Sequence, residues 1–330
     1  MLKRLFIGAL LLVVVAVGWH VLAKPDDRDN RRYFADQTYN FEAIRVLNDI
    51  ASVGGDSADV TQAVGKIRTG NPNDWYSAWT EAGDRAMTMA NNTHDAVSKG
   101  NALLRAHNYY RSAEFFLAPS DPRRAIAWKK NIDAFYSGLG VLGVSYERIR
   151  VPYGDHHLNA VYYPGPTGSE NKPLLVVVGG YDSTMEETYF HIVVAAHQRG
   201  YSVLTYEGPG QGSVLREQGL TFIPEWEKAT GAVLDTFLAK HPVSDKIVLI
   251  GESLGGYLAP RAAAFDSRIS GVVAYDEFYD GYAIATRHVP SFVFWLRDHH
   301  YDGVLRFLVQ HGPSDPGSTW ATQMACGYWV

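Results

Sequence analysis

Lys246–Ala264 reads KIVLIGESLGGYLAPRAAA, and its change of character halfway along decides the fold. Ile247-Val248-Leu249-Ile250 is an unbroken β-branched and aliphatic run, the pattern of a strand buried on both faces. Gly251-Glu252-Ser253-Leu254-Gly255 follows at once, and then an alanine-rich stretch of helical character. A strand that passes through G-x-S-x-G into a helix makes a sharp turn that lifts the serine hydroxyl above the sheet edge. Gly251 and Gly255 leave room where strand and helix cross. The first amides of the helix point to where negative charge would develop on a carbonyl oxygen. Ser253 is therefore the candidate catalytic nucleophile and Leu254, which follows it, a candidate oxyanion donor. The competing reading is an incidental strand–helix turn.

Outward from this stretch the elements alternate. Ile269–Tyr275 reads as a strand, Trp226–Ala239 as a helix, Tyr201–Tyr206 as a strand, His191–Arg199 as a helix and Leu174–Val178 as a short buried strand. Val144–Val151 and Leu158–Tyr163 flank Tyr153-Gly154-Asp155 as a hairpin. Alternation of this kind specifies an α/β fold with a doubly wound, mostly parallel sheet, whose ligands bind beyond the carboxyl ends of the strands. The loop Gly179–Glu187 leaves one such end. Its glycine pair permits close backbone approach, so the Tyr181 amide is the candidate second oxyanion donor, with Gly180 shaping the turn. Ser183 and Glu186 in the same loop fit a capping box, a structural role. Glu207-Gly208-Pro209-Gly210-Gln211-Gly212 leaves a second end. It lacks the G-x-G-x-x-G spacing of a dinucleotide site and reads as a tight exit loop.

Residues from Tyr33 to Gly140 follow a helical period. Asp74 reads as the cap of a helix carrying Trp75, Trp79, Ala82, Ala86 and Met89. Ala102–Leu117 and Arg123–Tyr136 give two further helices, with Gly138 and Gly140 expected to stop them. The aromatic stripes read as core rather than as ligand contacts. Ahead of this region Lys3-Arg4 precede the apolar run Leu5–Ala23, interrupted only by His20, and Lys24–Arg32 forms a charged linker. The run is long enough for a single-pass membrane anchor that exports the catalytic part; a cleaved signal peptide, giving a secreted or periplasmic protein, is the alternative.

Composition narrows the function. A net charge of -5 without a long basic run argues against nucleic acid as a partner. The single cysteine, Cys326, cannot form an internal disulfide, and the 12 histidines show no metal-ligand spacing, so neither metal nor cofactor is expected. Asn91-Asn92-Thr93 is a sequon of uncertain use.

Gly180–Glu187 (GYDSTMEE), Gly208–Gly212 (GPGQG) and Gly251–Gly256 (GESLGG), in this order, resemble a branch of the α/β-hydrolase superfamily. That branch includes 2,6-dihydroxypseudooxynicotine hydrolase and the fungal yellowish-green polyketide-shortening hydrolases. The resemblance implies a helical region before the hydrolase core and hydrolysis of a small carbonyl substrate, at an ester or a ketone C–C bond. The resemblance covers roughly residues 33–330, and together with the N-terminal apolar run the chain divides into an anchor or signal peptide (1–24), a helical lid or substrate domain (25–140), a first part of the hydrolase core (141–278) and a helical cap insertion (279–330). The resemblance also implies an acid and then a histidine after Ser253, each following a further strand, and neither is found before Val330. The chain therefore reads as a piece of a longer hydrolase. Within it, Asp276, Glu277 or Asp280 with His288, His299, His300 or His311 would be substitutes. The reading from another class is a non-catalytic binding protein on the same scaffold.

Overall fold

The computed structural model describes residues 33–241, 246–276, 279–280, 282–283 and 290–311. Five helices come first: α1 (Gln37–Asn48), α2 (Ser57–Val64), α3 (Pro72–Asn92), α4 (Ala96–Glu114) and α5 (Pro122–Leu142). Each begins on an Asp or Asn whose side chain accepts from an amide of the first turn: Asp36, Asp56, Asn71, Asp95 and Asp121. Asn71, followed by Pro72 at the first helical position, thus takes the capping role expected of Asp74. Asp74 lies one turn further on and accepts from the Arg68 guanidinium.

The expected stops at Gly138 and Gly140 do not occur; α5 runs through both and ends at Gly143. Gly138 instead lets α4 approach, because a Cβ there would stand 3.0 Å from Leu104. Gly143 has φ +68° and closes the helix through its amide to the Gly140 and Leu139 carbonyls. Its surroundings leave space for a side chain, so Gly143→Ala isolates the backbone effect. The expected cost is about 1 kcal/mol, read from the urea unfolding midpoint. The aromatic stripes are core, as expected: Trp75 and Trp79 are fully buried, and the Trp75 indole packs edge-on to Tyr39 and Phe116 while donating to the Ser112 carbonyl at 2.7 Å. Met89, the last residue named on that stripe, is an exception and lies exposed.

A six-stranded sheet follows, in the order β1-β2-β4-β3-β5-β6. β1 (Glu147–Tyr153) and β2 (His156–Tyr163) form the expected hairpin, and β2 runs antiparallel to β4 (Val203–Glu207). β3 (Leu174–Val178), β4, β5 (Ile247–Glu252) and β6 (Ile269–Tyr275) are parallel. Between them lie a π-helical turn (Tyr189–Val193) leading into α6 (Val194–Gln198), then α7 (Gly212–Gln218), α8 (Trp226–Leu238) and α9 (Gly255–Phe265). α10 (Ser291–Asp298) and α11 (Asp302–His311) close the described chain. Val178 lies beside Tyr206 on one side and Gly251 on the other, so the loops after β3, β4 and β5 leave the sheet together at one edge.

One expectation is corrected. Among the described residues no helix is long and apolar enough to cross a membrane. The long helices carry polar faces; α3, for example, includes Asp74, Glu81, Asp84 and Arg85. The run Leu5–Ala23 on which the anchor rested lies outside the described residues, so the membrane partner and the anchored location are not retained.

Candidate active site

Ser253 is exposed and has φ +57°, a left-handed conformation that costs a non-glycine residue of order 1–3 kcal/mol. Its surroundings hold it there. The Ser253 amide donates to the Tyr275 carbonyl at the end of β6 (2.8 Å), and the Ser253 carbonyl accepts from Gly256 (2.8 Å). The glycines do what the sequence anticipates. A Cβ on Gly251 would strike the Gly255 carbonyl, and one on Gly255 would meet the Val178 and Gly179 carbonyls. Strand, turn and helix are thus packed backbone to backbone. The Leu254 amide heads α9 and has no hydrogen-bond partner among the described residues.

The loop after β3 presses on this turn. A Cβ on Gly180 would stand 2.7 Å from Ser253 Cβ and 2.9 Å from its Oγ. Gln211 holds that loop from behind: its Nε2 donates to the Gly179 and Gly180 carbonyls (2.8 and 3.0 Å), while its Oε1 accepts from the Gly208 amide (3.0 Å). The Gly208–Gly212 loop is therefore more than an exit loop; it braces Gly180 and Tyr181. The Tyr181 ring stacks parallel to Phe222 at 5.8 Å.

The capping pair is shifted by one residue. Thr184 Oγ1, not Ser183, accepts from the Glu187 amide at 3.2 Å. Glu186 turns inward, accepting from the Tyr136 hydroxyl at 2.8 Å, and lines a cavity of about 340 Å³ with Arg148, Arg150 and His157. Burial, and then the charge of Glu207, raise its carboxyl above the ordinary range.

Two charged groups that sequence reasoning missed tie this edge to the helices. Arg45 of α1 donates through Nε and Nη2 to both oxygens of Glu187 (2.6 and 2.6 Å) and through Nη1 to Asp182 (2.7 Å). Arg111 of α4, itself buried, reaches Glu187 at 2.9 Å. Burial alone would raise the Glu187 carboxyl, but Arg111, Arg45 and His191 outweigh it and hold it far below the ordinary range. The second group is His191, whose Nδ1 is 2.8 Å from Glu252 and whose Nε2 is 2.9 Å from Asp49. A lone histidine on the apolar run 189–196 was the available signal.

None of the substitute acids and bases among the described residues is hydrogen-bonded to Ser253. Among the described residues its Oγ has no histidine or carboxylate partner. Asp280 accepts from the Ala283 amide, and Asp276 is exposed with φ +82°. His299 bonds the Trp295 carbonyl in α10, and His300 sits at the exposed corner before α11. Glu277 and His288 lie outside the described residues, as does the side chain of His311. Among the described residues no cluster of His, Cys, Asp or Glu is arranged to hold a metal ion.

No known family profile matches the sequence. Individual relatives do. Hydrolase acrC of Aspergillus aculeatus is 36% identical over 304 residues, a match covering 84% of this chain and 71% of that protein. The 20-hydroxy-prefusarin hydrolase FUS2 of Gibberella moniliformis is 33% identical, covering 84% of this chain and 70% of that protein. Alpha/beta hydrolase ucsC of an Acremonium species is 33% identical, covering 86% and 63% respectively. Among solved structures, 2,6-dihydroxy-pseudo-oxynicotine hydrolase superposes with a TM-score of 0.57 at 22% identity, covering 68% of this chain and 62% of that one. This last likeness speaks to the fold.

Proposed function

Because this chain belongs to the α/β-hydrolase family and is a hydrolase, we propose that Ser253 is the nucleophile of an acyl-transfer reaction on a small carbonyl substrate. Ser253 Oγ forms a bond to the carbonyl carbon as its proton passes to a general base. The carbonyl oxygen takes the negative charge and is met by the amides of Leu254 and Tyr181, with Gly180 keeping that loop close. Collapse of the intermediate expels the leaving group, an alcohol from an ester or a carbon acid from a ketone, and leaves an acyl-enzyme that water cleaves. Ester and C–C substrates share these steps. The observation that carries the reading is the strained Ser253 at φ +57° with Gly180 packed on its side chain. Strain held by many contacts marks a site where geometry is being enforced. Residues 37–142, placed against this edge by Arg45 and His191, are read as the part that closes over the substrate.

The test is chemical. Incubation with a fluorophosphonate and peptide mapping by mass spectrometry should place the adduct on Ser253. A folded full-length protein that takes no adduct, or takes it elsewhere, rejects the nucleophile and favours a binding role for the scaffold.

A further inference from the structure

His191 joins the helical segment to the turn that carries Ser253. Its Nδ1 lies 2.8 Å from Glu252 Oε1, and Glu252 is the residue immediately before Ser253. Its Nε2 lies 2.9 Å from Asp49 Oδ1, in the turn that follows α1, close enough for an ion pair but outside hydrogen-bond geometry. Asp49 is buried, and its other oxygen accepts from Asn108 Nδ2 of α4 at 2.6 Å. Asn108 donates in addition to the Gly54 carbonyl, so the acid is fixed in its turn. An imidazole bonded to one carboxylate through Nδ1 and facing another at Nε2 suits both only as the cation, because a neutral ring would turn a lone pair toward one of them. The charged groups facing it are Asp49, Glu252 and Glu187. Burial opposes the charge, but the carboxylates of Asp49, Glu252 and Glu187 around the ring prevail and push its pKa up to about 10. His191 is thus a cation throughout the neutral range.

Glu252 is poorly supported without it. Its Oε2 is buried and has no partner among the described residues. From the β6 side, the Tyr275 carbonyl restrains Ser253 by accepting from the Ser253 amide. From the helical side, the restraint on the residue that leads into the strained position comes through His191.

We propose that His191 is a positioning residue for hydrolysis: strapped between Asp49 and Glu252, it lets the helical segment set the alignment of Ser253 with the oxyanion amides. The proposal rests on Ser253 being the nucleophile. It gives residues 37–142 a part in the geometry of the reaction itself, beyond covering the substrate. Loss of the strap leaves Glu252 free to turn, and the backbone at Ser253 relaxes from its left-handed setting. Oγ then spends less time in line with the oxyanion amides, and misplacement on the scale of 1 Å costs up to about 100-fold in rate.

The experiment compares wild type, His191→Gln and Asp49→Asn, using the rate of fluorophosphonate labelling, kcat and KM for a p-nitrophenyl ester, and thermal unfolding. His191→Gln is expected to label about 10- to 100-fold more slowly. Its kcat should fall by a similar factor with KM little changed, and Asp49→Asn should lie between it and wild type. Equal labelling of folded His191→Gln and wild type overturns the proposal, as does a loss that appears only in KM. If His191→Gln does not fold, Asp49→Asn carries the same comparison. Nitrogen-15 shifts of the His191 ring in the wild type give a further check: both nitrogens protonated at pH 8 is the expected result, and a neutral ring overturns the strap. An unlabelled wild type removes the nucleophile reading and this one with it, whereas a labelled wild type with an indifferent His191→Gln removes this one alone.

Discussion

Gly180→Ala is expected to slow fluorophosphonate labelling of Ser253 by about two to three orders of magnitude, the loss that follows removal of one oxyanion donor. A methyl group at this position would stand 2.7 Å from Ser253 Cβ and 2.9 Å from Oγ, closer than such atoms pack. Neither side yields easily. Ser253 is held by its hydrogen bond to Tyr275, and the Gly179 and Gly180 carbonyls are held by Gln211. Whichever gives way, the Tyr181 amide and Ser253 Oγ move apart. Overpacking of this kind costs about 1–3 kcal/mol, so the variant should remain folded by circular dichroism and the labelling rate report the site. Labelling within threefold of wild type would remove the loop after β3 from the oxyanion hole.

The largest effect on stability is expected at Arg45. Its guanidinium serves Glu187, Asp182 and Glu42, and Glu187 and Glu42 are buried. Arg45→Met takes from those carboxylates one of their two arginine counter-ions and leaves Arg111 alone against the buried acids; breaking a buried pair from one side costs about 3–5 kcal/mol. The pH dependence has a definite sign. The Glu187 carboxyl sits below its ordinary value of 4.5 in the folded protein, so its contribution is present above that pH and is lost as pH falls through the folded value. The difference between wild type and Arg45→Met should therefore be greatest at neutral pH and shrink under acid conditions. Urea unfolding at pH 7 and pH 4 measures both. A difference that grew on acidification would show that Arg45 acts through packing rather than charge.

The elbow was legible because its chemistry is local. Strand, glycine, serine, glycine and helix lie within Lys246–Ala264, and each constrains the next. The loop at Gly180 was legible for the same reason, since a glycine pair after a buried strand has few uses. What the sequence hid is what depends on partners far along the chain. Arg45 and Glu187 are 142 positions apart, and His191 and Glu252 are 61 apart. Nothing near Arg45 distinguishes it from a solvated face of α1. Gln211 belongs to a loop that reads from sequence as a tight exit, although its amide is what braces Gly179 and Gly180. Gly138 and Gly140 misled in the opposite sense. Glycine in a helical pattern marks either an end or a close approach; Leu104 makes Gly138 a close approach, whereas Gly140 has nothing within 4 Å and its place in the helix has no structural explanation.

The separation along the chain of the groups in the Arg45 and His191 bridges bears on the order in which the protein assembles. α3, α4 and α5 pack against their immediate neighbours in sequence, contacts that form early because little chain must be closed. A bridge spanning 142 positions needs both the helices and the sheet edge in place before its charges can meet. On that ground it is expected to form late in folding and to break early in unfolding. Arg45→Met should leave the refolding rate nearly unchanged and put its whole penalty on the unfolding rate. The buried charges would then act as a kinetic lock, lengthening the lifetime of the assembled Ser253 edge more than they hasten its formation.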